Sequence, residues 1–425
     1  MRTLRFGSTG PAVQLLQLAL DRAGFGPLET DGIFGRATAN ALLRFQRSHR
    51  LEADAVAGPM THRALLPWYT GYLTHRIRPG DVYWQLARRY GTTAEAIALA
   101  NPDLRPEALP VGARLVVPLG FPVVPAAIDW CADLVACCVQ GLAARYPFIE
   151  TGQIGSSELG RPLWRLQLGR GENRVLYNGA HHANEWITTP LLLRFAEELA
   201  AAFGGGGALF DVSAAEILDY ATICLIPAVN PDGMDLVTGE LQSGAAFQRA
   251  RGIAAAYPRF PFPDGWKANL QGVDLNLQYP AGWEQARENK YALGVASPAP
   301  ADFVGTAPLT APESRAMYNY TFAFDPALTL SFHTQGEVIY WRYLDREPED
   351  ARQIAEAFAR LSGYAVEDAP FASGFAGYKD WFILAWNRPG YTVEAGLGRN
   401  PLPVSDFDGI YEKVRGILTL GALLT

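Results

Sequence analysis

The spacing of hydrophobic positions changes along the chain. Between residues 1 and 67, apolar residues recur every three to four positions in LQLALDRAGF (17–26) and RATANALLRFQRSHRL (36–51), the period of amphipathic helices. A Gly- and Asp-containing segment, ETDGIFG (29–35), separates them and has the composition of a tight turn. This pattern predicts a small three-helix module over residues 1–67.

Short strands and short helices follow over residues 74–119. The stretch LLPWYTGYLT (65–74) is predicted to be a linker. After it, HRIRP and GARLVVP have the character of strands, whereas VYWQLARRYG and TTAEAIALANP have the character of helices. Gly91 ends the first helix, a Thr-Thr pair caps the second, and Asn101-Pro102 stops it. The predicted order is strand, helix, helix, strand.

Residues 126–425 alternate apolar strands with amphipathic helices. The strand-like runs are WRLQL, RVLYNGA, ATICLIPAV, ALTLSFH, EVIYW and GYTVEAG, and the helix-like runs are TTPLLLRFAEELAAAF and ARQIAEAFARLSG. This alternation predicts an α/β domain with a mixed, largely buried sheet flanked by helices. Residues 240–270 and 283–312 show weak periodicity and are expected to be long loops.

Composition restricts the class of protein. With 49% hydrophobic and 19% charged residues among 425, the chain is typical of a folded protein with a sizeable core. No apolar run approaches the roughly 20 residues of a membrane-spanning helix. The start, MRTLRFGSTGPAV, lacks the apolar segment of a classical signal peptide, so none is expected. Four Cys without a CxxC pair support neither a disulfide framework nor a Cys-based zinc finger.

Charge divides the chain into two parts. Residues 1–120 contain 14 Arg, no Lys and 9 acidic residues, a net charge of +5, whereas the remainder carries −12. A basic first part favours an anionic polymer such as nucleic acid, cell wall or a membrane surface. An Arg-rich solvated surface without a partner is the alternative.

Three histidines, His181, His182 and His333, lie where predicted strands end. His182 and Glu185 are three residues apart at a strand-to-helix junction and can turn toward one point. Two imidazoles and one carboxylate leave an open fourth position, which is the arrangement of a catalytic zinc. Glu394 ends the strand GYTVEAG and is a candidate base for a water molecule at the same sheet edge.

The first two modules resemble known wall-binding families. VQLLQ, Asp31-Gly32-Ile33-Phe34-Gly35, Thr38 and Phe45-Gln46 resemble the peptidoglycan-binding domain type 1 family. The Pro79-Gly80-Asp81 turn and the Asn101-Pro102 stop resemble the LysM family, which binds glycans containing N-acetylglucosamine. The LysM resemblance implies a glycan groove, unless these residues serve only turn geometry, made by Gly80, Asp81, Val82, Tyr83, Asn101, Pro102 and Leu104.

The third unit resembles the zinc carboxypeptidase (carboxypeptidase A-like) family. The resemblance rests on NGAHHANEWITTP, NPDG, GVDLN, SFH and YTVEAG in this order and covers roughly residues 127–425. It implies that His182, Glu185 and His333 bind one Zn²⁺ per chain and that Glu394 is the general base. His181 is not expected to be a ligand.

Two departures from the family pattern affect the expected specificity. Family exopeptidases have an Arg that grips the terminal carboxylate of the substrate, and Leu277 stands in its place here. An aliphatic side chain cannot form the bidentate pair, so ordinary carboxypeptidase activity is in doubt. Lys267, in Trp266-Lys267-Ala268-Asn269, stands where the family has a carbonyl-polarising Arg. It is expected to stabilise the oxyanion, with a solvated loop Lys as the alternative.

GVDLNLQYPAGW (272–283) and GYKDWF (377–382) look like the γ-D-glutamyl-meso-diaminopimelate peptidase branch of the family. That branch cleaves the stem peptide of bacterial cell wall between γ-D-Glu and diaminopimelate. Diaminopimelate carries an extra amine and carboxylate. Asp380 is therefore expected to meet the amine, Asn276 to hydrogen-bond a carboxylate, and Tyr378 to cover the site.

Together these features predict a multidomain cell-wall hydrolase, a zinc metallopeptidase preceded by the two binding modules over 1–67 and 74–119. The alternatives are a zinc carboxypeptidase that trims C-termini and a catalytically silent wall-binding protein. Peptidoglycan is the expected partner. Nucleic acid is not expected, because the Arg residues lie within the two wall modules, and no membrane span is expected. The expected location is the cell wall, extracellular or spore-associated.

Overall fold

The structure is a computed structural model that describes residues 1–424. The first module consists of α1 (Pro11–Arg22), α2 (Arg36–Ser48) and α3 (Pro59–Thr70). Its DGIFG turn is held from inside by the buried amide of Gln17, which donates to Asp31 Oδ1 at 2.7 Å and accepts from Gly32 N–H at 3.0 Å. The predicted linker over 65–74 is wrong, because α3 continues to Thr70.

The second module has the predicted strand–helix–helix–strand order, which is confirmed. Its elements are β1 (Tyr72–Arg76), α4 (Tyr83–Tyr90), α5 (Ala94–Leu99) and β2 (Arg114–Pro118), and β1 pairs antiparallel with β2. Gly91 ends α4 in the left-handed region at φ 67°, where glycine carries no steric penalty. Thr93 caps α5 by accepting the Ala96 N–H at 3.1 Å.

The third unit is an α/β domain, as predicted. Its helices are α6 (Ala132–Arg145), α7 (Thr188–Gly204), α8 (Ala214–Tyr220), α9 (Pro231–Val237), α10 (Gly244–Ala255), α11 (Trp283–Ala292), α12 (Pro312–Phe324), α13 (Ala351–Ser362), α14 (Tyr378–Trp386) and α15 (Phe407–Gly421). Its strands are β3 (Glu150–Ser156), β4 (Pro162–Leu168), β5 (Asn173–Gly179), β6 (Ala208–Leu209), β7 (Val212–Ser213), β8 (Ala221–Ile226), β9 (Leu328–His333), β10 (Val338–Tyr340), β11 (Ala365–Glu367) and β12 (Gly390–Glu394). The long loops expected over 240–270 and 283–312 contain α10 and α11, so that expectation is wrong in part.

One mixed eight-stranded sheet organises this domain, in the order β11-β10-β12-β9-β5-β8-β4-β3. The four central strands β12, β9, β5 and β8 run parallel to one another, while β10, β4 and β3 provide the antiparallel pairs. Successive residues of β5 face opposite cores, since Val175 and Tyr177 pack on one side of the sheet and Leu176 packs on the other. Helices therefore cover both faces, as expected of buried parallel strands.

Helix α6 of the α/β domain contacts both N-terminal modules. It packs against α1 and α3 of the first module, β1 and β2 of the second, and α7 and α9 of the third unit. Gly141 allows this approach, because a Cβ there would lie 2.1 Å from the Thr70 carbonyl oxygen. Arg145 ends the helix and donates to the carbonyls of Gly71 (3.0 Å from Nε) and Leu119 (2.7 Å). The buried residues of the first module and those on one side of the α/β sheet form one continuous hydrophobic core.

Further contacts fix both modules against the α/β domain. Arg2 pairs with Glu240 at 2.6 Å, and Gln14 exchanges two hydrogen bonds with Asp129. In the second module, Leu99 packs so closely on α7 that a Cβ at Gly204 would lie 2.2 Å from it. None of the helices within residues 1–424 combines the length and apolar character that crossing a bilayer requires.

Candidate metal centre and active site

The carboxyl ends of β5, β9 and β12 meet at one edge of the sheet. His333 ends β9 and Glu394 ends β12, and the two residues are register partners across the parallel ladder. After β5, the chain turns at Ala180, which has a φ of 51° and donates its N–H to Thr188 Oγ1 at 2.8 Å. The following 3₁₀ turn, Ala183–Glu185, brings His182 and Glu185 to the same edge.

His182, Glu185 and His333 offer ligand atoms that all lie within 4.8 Å of one another. Glu185 bridges the two imidazoles, with Oε1 at 2.9 Å from His182 Nδ1 and Oε2 at 2.8 Å from His333 Nδ1. The two Nδ1 atoms are 3.2 Å apart. The sequence therefore placed these three residues together correctly in space.

The donor set fits a divalent cation, and zinc in particular. Burial alone would lower the pKa of His182, but the Glu185 and Asp274 carboxylates raise it to about 10. The same negative charge that attracts a proton to His182 would be compensated by a cation among the three groups. Two imidazole nitrogens and one carboxylate, with room for a further ligand from the cleft, match the ligands of catalytic zinc sites.

Asp274 and Asn276 support the two histidines from behind. Asp274 Oδ1 lies 3.2 Å from His182 Nε2, and Asn276 Nδ2 lies 3.5 Å from His333 Nε2. A carboxylate on the far nitrogen of a ligating histidine fixes the orientation of its ring. Sequence reasoning missed Asp274, although GVDLN contains it. The sequence signal that could have identified this residue is an acidic side chain two positions before Asn276.

Glu394 and Lys267 both line the cleft that His182 and His333 also line. Burial raises the pKa of Glu394, with His333 acting in the opposite sense. Lys267 Nζ donates to Glu185 Oε1 at 3.2 Å. Burial opposes its charge, but Glu185, Asp274 and Glu394 outweigh that effect and raise the pKa of Lys267. The ammonium group is therefore a fixed positive charge beside the cluster.

His181 points away from the cluster. Its Nε2 lies 2.9 Å from the Tyr279 hydroxyl, and its ring stacks near His333 and Tyr378. Burial lowers the pKa of His181 far below its ordinary value, so the ring is neutral. It is absent from the His182, Glu185 and His333 group, in keeping with its expected role as a packed neighbour.

The cleft has a volume of about 430 Å³ and is rich in charged side chains. Asn276 and Asp380, both expected to bind substrate, line it. Two lysines that sequence reasoning missed, Lys290 and Lys379, also line it, and each pairs with an Asp. A larger cavity of about 760 Å³ lies between the second module and α7, but it contains none of the candidate catalytic residues.

Tyr378 does not line the cleft, so the expectation that it covers the site does not fit its position. Its side chain is fully buried, and its hydroxyl lies 2.9 Å from Thr321 Oγ1. The ring packs among Tyr279, Trp381 and His181. The physical reason is that Tyr378 begins α14 with its ring directed into the core beneath the sheet edge.

The residues expected to form the glycan groove of the second module differ in their exposure and in whether their side chains serve the fold. Asn101 donates to the Ile97 and Val116 carbonyls and accepts from Val116 N–H, so its amide serves the fold of the module. Asp81 accepts from His75 and from Arg78 N–H, both at 2.7 Å. Tyr83 is buried, and Val82 and Leu104 are half-buried. Gly80 and Pro102 are exposed.

Comparison with family models matches three parts of the chain to known types of unit. Residues 136–398 match the zinc carboxypeptidase family, residues 9–65 match a peptidoglycan binding domain, and residues 75–118 match the LysM domain. The predicted resemblances to these three families are thereby confirmed.

Individual relatives agree with the family models. The chain is 42% identical to gamma-D-glutamyl-L-diamino acid endopeptidase 1 of Lysinibacillus sphaericus over 67% of this chain and 70% of the relative. It is 40% identical to the uncharacterized protein YqgT of Bacillus subtilis (strain 168), over 64% of this chain and 72% of the relative. Carboxypeptidase A from Helicoverpa armigera has a similar fold, with a TM-score of 0.54 and 19% identity, covering 81% and 82% of the two chains.

Proposed function

The chain belongs to the zinc carboxypeptidase family, and from this premise we propose that it hydrolyses the γ-D-Glu–meso-diaminopimelate bond in peptidoglycan stem peptides. One observation carries the proposal. The cluster of His182, Glu185 and His333 adjoins a cleft lined by Glu394 and by Leu277. By the family resemblance, Leu277 stands at the position of the carboxylate-binding Arg of exopeptidases. The name of the Lysinibacillus relative, a gamma-D-glutamyl-L-diamino acid endopeptidase, supports the choice of bond.

His182, Glu185 and His333 hold one zinc ion per chain in this proposal. Zinc bound there would supply a Lewis acid that acidifies water and polarises the scissile carbonyl. The Asp274 carboxylate holds His182 in the orientation that the site needs, through its contact at 3.2 Å. Contacts of this kind, from a neighbouring side chain to a ligand residue, keep the donor atoms in place before the ion binds.

Glu394 is the proton carrier of the reaction. Its carboxylate takes a proton from the attacking water and later delivers that proton to the amine of diaminopimelate as the bond breaks. Because burial raises the pKa of Glu394, the group accepts a proton more readily than an exposed carboxylate does. Lys267, also in the cleft, stabilises the negative charge that develops on the carbonyl oxygen.

The two N-terminal modules hold the enzyme on its polymer. We infer that the second module binds glycan containing N-acetylglucosamine along the groove that includes the exposed Gly80 and Pro102. A bound enzyme meets stem peptides at a raised local concentration without new contacts in the active site. This arrangement favours a location at the cell wall, and we propose spore association as well. A fluorescent fusion that stays uniformly cytoplasmic through growth and sporulation would speak against both locations.

The first experiment uses a defined stem peptide, L-Ala-γ-D-Glu-meso-diaminopimelate-D-Ala, with the zinc-loaded protein and a chelated control. Mass spectrometry should detect L-Ala-D-Glu only in the zinc-loaded sample. Release of D-Ala alone would instead identify a carboxypeptidase. A zinc content below about 0.2 per chain after supplementation, with no cleavage, would identify a catalytically silent wall-binding protein, since a catalytic site of this type binds one zinc ion.

A further inference from the structure

The NPDG segment, residues 230–233, lies at the sheet edge that holds the candidate metal centre. It follows β8, which runs parallel to β5, so the two strands end side by side. The Asn230 N–H donates to the Ala180 carbonyl at 2.9 Å, two residues before His182. Asn230 is fully buried and does not line the cleft, so its side chain cannot touch a substrate there.

The side-chain amide of Asn230 joins three segments of the chain. Its Oδ1 accepts the Gly233 N–H at 3.0 Å, at the start of α9. Its Nδ2 faces three carbonyl oxygens, those of Ala268 at 3.0 Å, His181 at 3.3 Å and Lys267 at 3.4 Å. Only this orientation of the amide is favourable, because the reverse would set an acceptor against three acceptors. Asn230 thus links α9, the turn after β5 and the loop that carries Lys267.

The turn after β5 and the Lys267 loop also meet through their main chains. Ala183 donates its N–H to the Lys267 carbonyl at 3.0 Å. On the other side of the loop, the N–H groups of Lys267 and Ala268 both donate to the Pro300 carbonyl, at 2.7 and 2.9 Å. Gly233 lets α9 approach this point, since a Cβ at Gly233 would lie 2.7 Å from Ala183 Cβ. The Lys267 backbone is therefore held from both sides.

The position of this backbone decides where the ammonium group of Lys267 lies. Lys267 Nζ is 3.2 Å from Glu185 Oε1, and Glu185 is one of the three candidate ligands. A shift of the loop would move the positive charge relative to the oxyanion that it is proposed to stabilise. A misplacement of about 1 Å in an active site can cost about 100-fold in rate.

Capping of α9 accounts for only half of the Asn230 side chain. Ser and Asp cap helices about as well as Asn does, through a side-chain oxygen. Neither has the NH₂ group that reaches the carbonyls of the two other segments. The Nδ2 contacts therefore serve the junction between the turn after β5 and the Lys267 loop.

We propose that Asn230 is a positioning residue of the reaction, whose amide sets the distance between Lys267 and the turn that carries His182 and Glu185. This assignment rests on the proposed function and deepens it, because it explains how the oxyanion-stabilising charge is kept beside the metal centre. Asn230 acts through Lys267 and touches no reacting atom. Loss of the Nδ2 contacts should lower kcat and leave KM nearly unchanged, as for an interaction that matters only in the transition state.

The test is a double-mutant cycle between Asn230 and Lys267. Asn230→Ser keeps a capping oxygen for α9 and removes Nδ2. With zinc-loaded protein and L-Ala-γ-D-Glu-meso-diaminopimelate-D-Ala, it should lower kcat about 10- to 100-fold and change KM less than about 3-fold. In the Lys267→Met background, the same substitution should lower kcat less than about 3-fold, because the charge that Asn230 positions is gone.

A control variant and a second measurement separate positioning from a loss of stability. Thr238→Val removes a hydrogen bond of 2.9 Å to the Met234 carbonyl at the other end of α9 and should leave kcat and KM as in the wild type. Zinc affinity, measured by competition with a chelator, requires no turnover. Asn230→Ser should weaken it about 10-fold, because Asn230 also supports the turn that carries two ligands, whereas Thr238→Val should not change it. Asn230→Asp, which keeps the size and the capping oxygen, replaces Asn230→Ser if that variant does not fold.

The outcomes separate this proposal from the proposed function. If Asn230→Ser lowers kcat as much in the Lys267→Met background as in the wild type, Asn230 does not act through Lys267, and the proposal fails while the peptidase function stands. An unchanged kcat in Asn230→Ser has the same meaning. If the wild type cleaves no stem peptide but Asn230→Ser weakens zinc binding and Thr238→Val does not, the positioning of the ligand turn stands and the proposed reaction fails.

Discussion

Among single residues, the proposed general base Glu394 gives the sharpest prediction. Glu394→Gln keeps the shape of the side chain and leaves His182, Glu185 and His333 in place, so zinc content should be unchanged. The kcat should fall by roughly 10²- to 10⁴-fold, because the amide cannot accept the proton of water. Metal analysis measures the zinc content, and kinetics on a muropeptide measure kcat. Near-normal turnover would show that Glu394 is not the general base.

A second residue, Glu313 in α12, gives a prediction about stability. Burial raises the pKa of Glu313 from the ordinary 4.5 to about 7, although it accepts hydrogen bonds from Glu158 N–H and Asn269. The folded protein thus keeps this proton up to about pH 7, whereas the unfolded chain releases it near pH 4.5. Between these values the unfolded state binds fewer protons, so the free energy of unfolding falls as the pH rises.

Glu313→Gln, which stays neutral, should remove this dependence. Its free energy of unfolding relative to the wild type should increase by up to about 3 kcal/mol between pH 4.5 and pH 8, from about 1.4 kcal/mol per pKa unit. Urea unfolding of both proteins at several pH values measures the difference. A constant difference across this range would show that Glu313 is ionised in the folded state throughout.

The grouping of the candidate ligands could be predicted from sequence because His182, Glu185 and His333 lie at or just after strand ends, and the ends of parallel strands converge. Lys379 could not be predicted in the same way. Its significance depends on burial beside Asp380, and a Lys next to an Asp on a helix is usually solvated. The position expected for Tyr378 was wrong because the sequence does not reveal which way the first turn of α14 faces.

Among the helices, α6 has the strictest steric requirement. Gly141→Ala places a methyl group against the Thr70 carbonyl oxygen, which cannot move without shifting the end of α3. We expect a loss of about 1–3 kcal/mol in the free energy of unfolding, the usual cost of overpacking. Gly252→Ala in α10 is the matched control, because no atom lies within 4 Å of the new Cβ.

That control should be neutral or stabilise the protein by up to about 1 kcal/mol, since Ala has the higher helix propensity. Chemical denaturation of both variants gives the comparison. Equal and small effects for the two substitutions would mean that α3 and α6 can separate freely.

The helices missed at the sequence level have weak apolar stripes. Helix α10 buries only two alanines, Ala250 and Ala254, so its periodicity is faint. Helix α11 buries Lys290 along one face, and a charged residue there hides the pattern. The end of α3 falls within the predicted linker. It contains Pro67, a residue that usually breaks helices, yet the full burial of its neighbours Leu65 and Tyr69 holds the helix in place.

For the whole molecule, the continuous core predicts how the units unfold. Because buried residues of the first module and of the α/β domain belong to one core, they should lose protection against hydrogen exchange together. The second module has a core of its own, which includes Ile77, Leu86 and Leu115, and should open separately. Native-state hydrogen exchange in graded denaturant distinguishes the two; an early, separate opening of residues 11–70 would contradict the shared core.

The contacts that dock both modules on the α/β domain also set how the protein can work on an insoluble wall. Arg2, Gln14 and Leu99 fix the modules against the α/β domain. A molecule bound to one glycan strand therefore reaches only the stem peptides that lie at one fixed distance from the bound module. Once those stem peptides are cut, the modules must dissociate from the glycan before the enzyme can cleave further stems. Turnover on intact wall should therefore be limited by the time that the modules stay bound to glycan. Tighter glycan binding should slow the enzyme on intact wall and leave its rate on small soluble peptides unchanged.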